Sequence, residues 1–276
     1  MKPLNILVST GGGLHSDQAL LAAVNLARSL DGTITVLTVV ENESERSAGL
    51  AIVEQAAALL EETGFSASAK VVVGPRVASI VREADSGQYD MLVIGQRPGH
   101  GLLTRILGPL TLQVVEQVHL PVFITNAPFT SLRHLLLCDS GGSQVPLLDR
   151  LFAQLPQLVE AAHHMTVLHV MSQMSAAPGI NGQDLRATAE ELMAHHAREG
   201  ELLEQDLQKL AQMHVQPQPL VRHGLVVDEI VDEAKQGAYD LVIIGAHEQG
   251  KWPRFLLDDL AGQIIQQIER SVLVIR

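Results

Sequence analysis

An internal repeat constrains this chain more than any other feature. With Gly74 set over Gly224 and both copies run forward without gaps, GPRVASIVREADSGQYDMLVIG lies over GLVVDEIVDEAKQGAYDLVIIG. Sixteen of the 53 pairs from Gly74/Gly224 to Asn126/Arg276 are identical, and the only two tyrosines, Tyr89 and Tyr239, fall on equivalent positions. Upstream, NILVSTGGG from Asn5 lies over HLLLCDSGG from His134. The offset there is 129 rather than 150, so the second copy carries 21 extra residues between the blocks. The segment NAPFTSLR, 126–133, has the proline and turn residues of a boundary. Two domains are expected, 1–127 and 134–276, each large enough to bury its own core.

Within each copy the apolar runs alternate with helical patterns. Asn5–Thr10 reads as a buried strand ending in three glycines. Ser16 is expected to cap a helix with Leu20, Val24 and Ala27 on one face. Thr33–Val40 is β-branched and reads as a strand. A helix over 47–63 stops at Gly64, Lys70–Val73 is a strand, and a helix over 75–86 has Pro75 in its first turn. Met91–Ile94 is a strand, a helix follows Gly108, and Pro121–Thr125 closes the copy. Repeat two follows the same order and ends in Ser271–Ile275. In its extra segment, 171–200, Gln183–His196 reads as a helix with Leu185, Ala189, Leu192 and Met193 as its apolar side. This alternation implies α/β domains with parallel sheets and helices on both faces. Ligands of such sheets sit beyond the carboxyl ends of the strands, where strand order reverses. That places candidate loops at 11–16, after Val39, and at 95–109.

Composition excludes several classes. The 276 residues are 46% hydrophobic and 18% charged, so the chain is not disordered. No apolar run approaches the ~18 residues of a membrane span, and the start shows no secretory signal. One cysteine, Cys138, excludes an intrachain disulfide and a multi-cysteine metal site. A net charge of −12 argues against nucleic acid and membrane surfaces as partners. A cytoplasmic location is expected.

The segment Gly95–Gly108, GQRPGHGLLTRILG, follows a strand and opens a helix, the setting in which free N–H groups and the helix dipole hold phosphate. It carries Arg97 and Arg105 with His100, and the only acid between Ser86 and Glu116 is Asp90 at the far end of the strand. The plainer alternative is a surface loop whose glycines only make turns. There is no G-x-x-x-x-G-K-[ST], so a Walker-type ATPase is excluded. The matching loop of repeat two, GAHEQGKWPRFLLDDLAG, has Asp258 and Asp259 in place of Gly108 and Pro109, and Glu248 besides. Aspartates at a helix start take the N–H bonds a phosphate would use and repel it. Trp252 on this loop reads as a lid over the sheet.

These residues resemble the universal stress protein family, along nearly the whole chain and as two tandem copies. The family begins with a strand, D-G-S, and a helix opening near H-S-x-x-A-L; here ILVSTGGGLHSDQAL runs from Ile6 to Leu20. Its nucleotide-binding members carry G-x2-G-x9-G-[ST] after the fourth strand. Gly95 and Gly108 keep the family's separation of 13, while Pro98 takes the inner glycine's place with Gly99 after it. The closing Ser/Thr is Pro109, and the usual aspartate after strand one is Gly11 in repeat one and Ser140 in repeat two.

The resemblance implies two tandem Rossmann-like domains of the adenine nucleotide alpha hydrolase-like kind, each a five-stranded, mainly parallel sheet. It implies a stress-response role and an adenine nucleotide, ATP or AMP, in repeat one. The residues that would hold it are Thr10, Gly11, Val39, Gly95, Arg97, Gly99, His100, Gly108 and Thr111, with no metal site of the protein's own. Repeat two would carry a degenerate site. Loss of the Ser/Thr hydroxyl at Pro109 removes a bond worth about 1.5–3 kcal/mol, which predicts weak ATP binding. The final strands, 121–125 and 271–275, are expected to be covered by the two copies packing around a pseudo-two-fold axis, an intramolecular pseudo-dimer, with a homodimer as a further step.

Two rival readings stand beside this one. Both sites could be lost, leaving a nucleotide-independent dimeric scaffold. GGGLHSDQAL also looks like the S-G-G-x-D-S loop of ATP pyrophosphatases, but Gly11 and His15 replace its leading Ser and its Asp. No nucleophile and base stand out together for catalysis. The adjacent pairs His163-His164 and His195-His196 do not face one site, and Glu191 with His195 reads as solvated helix surface. Cys138 reads as packing.

Overall fold

Apolar runs such as Ile6–Val8 and Leu92–Val93, fully shielded from solvent, become strands covered by helices on both faces. The computed structural model describes residues 2–96, 109–139, 145–171, 187–195, 197–246 and 258–276. The chain divides into two units. The first is Met1–Ser131 with Ser271–Val274 and Arg276; the second is Leu132–Arg270 with Ile275.

The first unit runs β1 (Leu4–Ser9), α1 (Leu14–Leu30), β2 (Gly32–Val40), α2 (Arg46–Glu62), β3 (Ala67–Val73), α3 (Arg76–Ala84), β4 (Met91–Gly95), α4 (Pro109–Gln117) and β5 (Val122–Thr125). Its strands lie in the order β3-β2-β1-β4-β5, all parallel. Right-handed crossovers then put α1 and α2 on one face and α3 and α4 on the other. Val272–Val274 of β10 (Ser271–Ile275) add an antiparallel strand, in register with Ile124–Val122.

The second unit runs β6 (His134–Cys138), α5 (Leu147–Gln154), α6 (Pro156–Ala161), β7 (His164–Met171), α7 (Ala189–Ala194), α8 (Arg198–Gln212), β8 (Gln216–His223), α9 (Val226–Gln236), β9 (Leu241–Gly245) and α10 (Asp258–Gln267). Its parallel order is β9-β6-β7-β8. The Ala246 N–H, just past β9, donates to Ile275 O at 2.7 Å.

The repeat is visible in matched contacts. Asp90 accepts from Asn5 N–H at 2.8 Å, and Asp240 from His134 N–H at 3.0 Å, so both aspartates sit at the amino ends of the strands. α2 and its counterpart α8 are each followed by a left-handed residue, Gly64 at φ 75° and His214 at φ 63°.

Three element expectations are corrected. Ser16 does not cap α1: the helix starts at Leu14 with Gly13 as N-cap, and Ser16 Oγ accepts from Gly11 N–H at 3.1 Å. The helix expected over Gln183–His196 is α7, Ala189–Ala194, set by a capping box in which Thr188 and Glu191 exchange bonds. Leu185 and His196 lie outside the described residues. β3 begins at Ala67, three residues before Lys70, because Ala67, Ser68 and Ala69 of this edge strand are small, stand half or fully exposed and lack an apolar signature.

Candidate functional site

In the first unit the strand order reverses at β1, with β2 on one side and β4 on the other. The crevice lies beyond their carboxyl ends. Thr10 leaves β1 there, held by its N–H donating to Leu37 O at 2.9 Å and by Thr38 Oγ1 donating to its carbonyl at 3.1 Å. Gly12 turns the chain at φ 74°, where a side chain is strained and a Cβ would stand 3.0 Å from Ile52 Cγ1. Its N–H donates to Thr10 Oγ1 at 3.2 Å.

Of the nine residues expected from the sequence, five are described. Thr10 and Gly11 follow β1, Val39 lies near the end of β2, Gly95 ends β4, and Thr111 is buried in the first turn of α4. The pairings Ser9↔Leu37 and Ser9↔Ile94 put the three strand ends side by side. Arg97, Gly99, His100 and Gly108 lie outside the described residues.

Sequence reasoning missed Gln96. It follows Gly95 at this crevice, is 6% exposed, and neither its Oε1 nor its Nε2 has a hydrogen-bond partner among the described residues. An enclosed amide left unpaired costs about 1–3 kcal/mol. Repeat two carries Ala246 at the equivalent position, and that contrast was the available signal.

The corresponding place in the second unit is filled differently. Arg150 of α5 reaches the end of β9, where its Nη1 donates to Ala246 O at 3.2 Å. Its Nη2 stands 2.6 Å from where a Cβ on Gly245 would be. Asp139, directly after β6, spends its Oδ2 on the first N–H of α5, that of Leu147, at 2.9 Å. Cys138 ends β6, and burial pushes its thiol pKa up, away from a reactive thiolate.

Among the described residues, no group of three or more His, Cys, Asp or Glu is arranged to hold a metal ion. Glu191 turns its carboxylate to the N–H of Thr188 at 2.8 Å. No described helix is long and apolar enough to cross a membrane.

Comparison with known proteins gives a consistent result. The family described as "Universal stress protein family" matches residues 4–126 and again 135–276. A curated universal stress protein of Methanocaldococcus jannaschii is 23% identical over 139 residues, covering 45% of this chain and 82% of its own. The crystal structure of a universal stress protein from Archaeoglobus fulgidus superposes with a TM-score of 0.76 at 16% identity, covering 100% of this chain and 99% of that one. A putative universal stress protein from Pseudomonas aeruginosa superposes at 0.69 with 17% identity, covering 98% and 92%.

Proposed function

This chain belongs to the universal stress protein family, and we propose that it is a stress protein that binds an adenine nucleotide, ATP or AMP, in repeat one only. Gln96 carries the proposal. A buried amide without partners is tolerated where a ligand supplies them, and it stands at the end of β4 beside Gly95. In this reading Arg97, Gly99, His100 and Gly108 are assigned to the phosphates from the sequence pattern of the loop that follows, Thr10, Gly11 and Val39 to the nucleoside, and Thr111, in the first turn of α4, to the phosphate end. Repeat two lacks the amide and adds Glu248, Asp258 and Asp259 to its loop. Its role is structural, and signalling runs through nucleotide-dependent conformation or partner binding.

Mass spectrometry of ligand released from freshly purified protein, followed by calorimetry with ATP and AMP, tests this. One nucleotide per chain is expected. Gln96→Ala, which installs the residue of repeat two, should leave stability unchanged or higher and weaken binding by about tenfold or more. Gly108→Asp should abolish binding, and Pro109→Ser should tighten it by about tenfold, one charge-assisted hydrogen bond regained. Two nucleotides per chain would overturn the asymmetry. No binding at millimolar concentration by either the wild type or Pro109→Ser would leave a nucleotide-independent scaffold.

A further inference from the structure

Each repeat ends its sheet on its third strand, β3 in the first unit and β8 in the second. Gly74 N–H, just past β3, donates inward to Val40 O at 2.8 Å, so alternation along the strand turns the N–H and C=O groups of Ala67, Ala69, Val71 and Val73 outward. Among the described residues no strand pairs with them. In β8 Gln216 N–H donates inward to His163 O at 2.9 Å, and the outward positions are 217, 219, 221 and 223. The first two are Pro217 and Pro219, which have no N–H to offer. At the offset of 150 they answer to Ala67 and Ala69.

The helices beside the two edges differ in the same sense. Gly49, Val53, Ala56 and Leu60 turn α2 towards the sheet, and a Cβ on Gly49 would stand 2.9 Å from Val71 Cγ1. Ile52 faces the α1 side, its Cγ1 3.0 Å from where a Cβ on Gly12 would be. At about 100° per residue Leu50 lies on the opposite flank from Ile52, the flank of the open edge. Leu50 is 46% exposed. In repeat two that position is Gly200, buried against the carbonyl of Leu192 on α7, where a Cβ has no room. Leu192 packs with Met171, Ala187 and Val221 of β8, and His223 Nε2 donates to Ala187 O at 2.9 Å. α7 belongs to the extra segment of repeat two, 171–200. The second repeat thus closes this edge with two prolines and a helix of its own; the first lacks both the prolines and the segment.

We propose that the outer edge of β3 is a docking surface for a second copy of this chain, the two β3 strands pairing antiparallel about a two-fold axis. An edge of alternating donors and acceptors is complementary to its own two-fold image. Lys70, the charge that would keep such an edge apart, is engaged elsewhere: its Nζ donates to both carboxylate oxygens of Glu83 at 2.7 Å. A register centred on Val71 sets Ala69 against Val73 and Lys70 against Val72, which avoids Lys70 facing its own copy. Because Gly49 sits on Val71, the same axis brings the two half-exposed Leu50 side chains towards each other and takes apolar surface out of water. With the edge of β8 closed, pairing stops at two chains instead of running on into a filament.

The experiment is sedimentation velocity on the full chain over a micromolar concentration series, with amide hydrogen exchange read at β3. A dimer is expected, with the Ala69, Val71 and Val73 amides protected in it and exchanging freely on dilution. Ala69→Pro, which installs the residue of repeat two, removes an outward donor and leaves the ladder to β2 intact; Leu50→Glu puts a charge on the flanking helix. Each should weaken the dimer by about tenfold or more, since a two-fold axis makes every loss count twice. Both positions are exposed, and unchanged circular dichroism would show the fold retained. A wild type that stays monomeric across the series, or a dimer undiminished in either variant, would overturn the proposal. So would β3 amides whose exchange ignores concentration, because the dimer would then form elsewhere. None of these outcomes depends on whether repeat one holds a nucleotide.

Discussion

A carboxyl group taken out of water either meets a positive partner or holds on to its proton. Asp206 does the second, with a pKa near 7 against an ordinary 3.8. Because the folded value is raised, its favourable contribution is complete below 3.8 and is lost as pH rises through about 7. The gap corresponds to roughly 4 kcal/mol across that window. Asp206→Asn should therefore match the wild type near the acid end and exceed it in stability above neutrality, as read by urea unfolding over the range. A variant that tracks the wild type at every pH would show that Asp206 ionises freely. Asp206 was readable in the sequence only as a polar residue on a helix. Its burial depends on which strand ends α8 covers, and spacing along one helix does not contain that.

At the scale of elements, each repeat joins the third strand to its following helix through one buried glutamate. Lys70 of β3 donates to both oxygens of Glu83 on α3 at 2.7 Å, and Tyr89 OH donates to Glu83 Oε1 at 2.9 Å. In repeat two Arg222 Nε donates to Glu233 Oε2 at 2.7 Å and Tyr239 OH to Oε1 at 2.6 Å. Arg222 lies two positions further along its strand than the equivalent of Lys70, and a step of two keeps the same face. Burial and the neighbouring glutamate push both phenols up to about 12, so each remains a donor. Tyr239→Phe should cost about 1.5–3 kcal/mol, as loss of a hydrogen bond to a charged group. Lys70→Met, at a side chain 44% exposed, should cost less than about 1 kcal/mol. Chemical denaturation of both variants decides; the reverse order would mean that the ion pair, not the phenol, holds the helix. The paired tyrosines were visible in the sequence as an identity, but their common acceptor was not. The strand, helix and tyrosine are joined by a contact across the sheet, and alignment reports only that each position matches its counterpart. The start of α7 was legible in principle, as the T-x-x-E of Thr188–Glu191; reading Leu185 into the helix's apolar side carried the expected start past the cap.

For the molecule as a whole, the last strand matters beyond its length. Val122, Phe123 and Ile124 of β5 are fully buried, and Val272–Val274 pair with them as part of the first unit. An apolar strand with an unpaired edge recruits other chains. Ending the chain after Arg270 should therefore cause self-association, seen as a shift to larger species in size-exclusion chromatography at rising concentration; an unchanged elution position would show that the edge tolerates exposure. The sequence by itself determined the duplication, the α/β alternation, the family, and the strand ends where Thr10, Gly11, Val39 and Gly95 gather, because each is written in short-range spacing or in the match of one copy to the other. Only the tertiary structure decided that Gln96 is an enclosed amide, that Arg150 reaches across to β9, and that Asp139, His169, Glu199 and Asp206 stand together under α8. Those are matters of burial and of meeting across crossovers, and both are set by how strands are ordered in the sheet rather than by how residues are ordered in the chain.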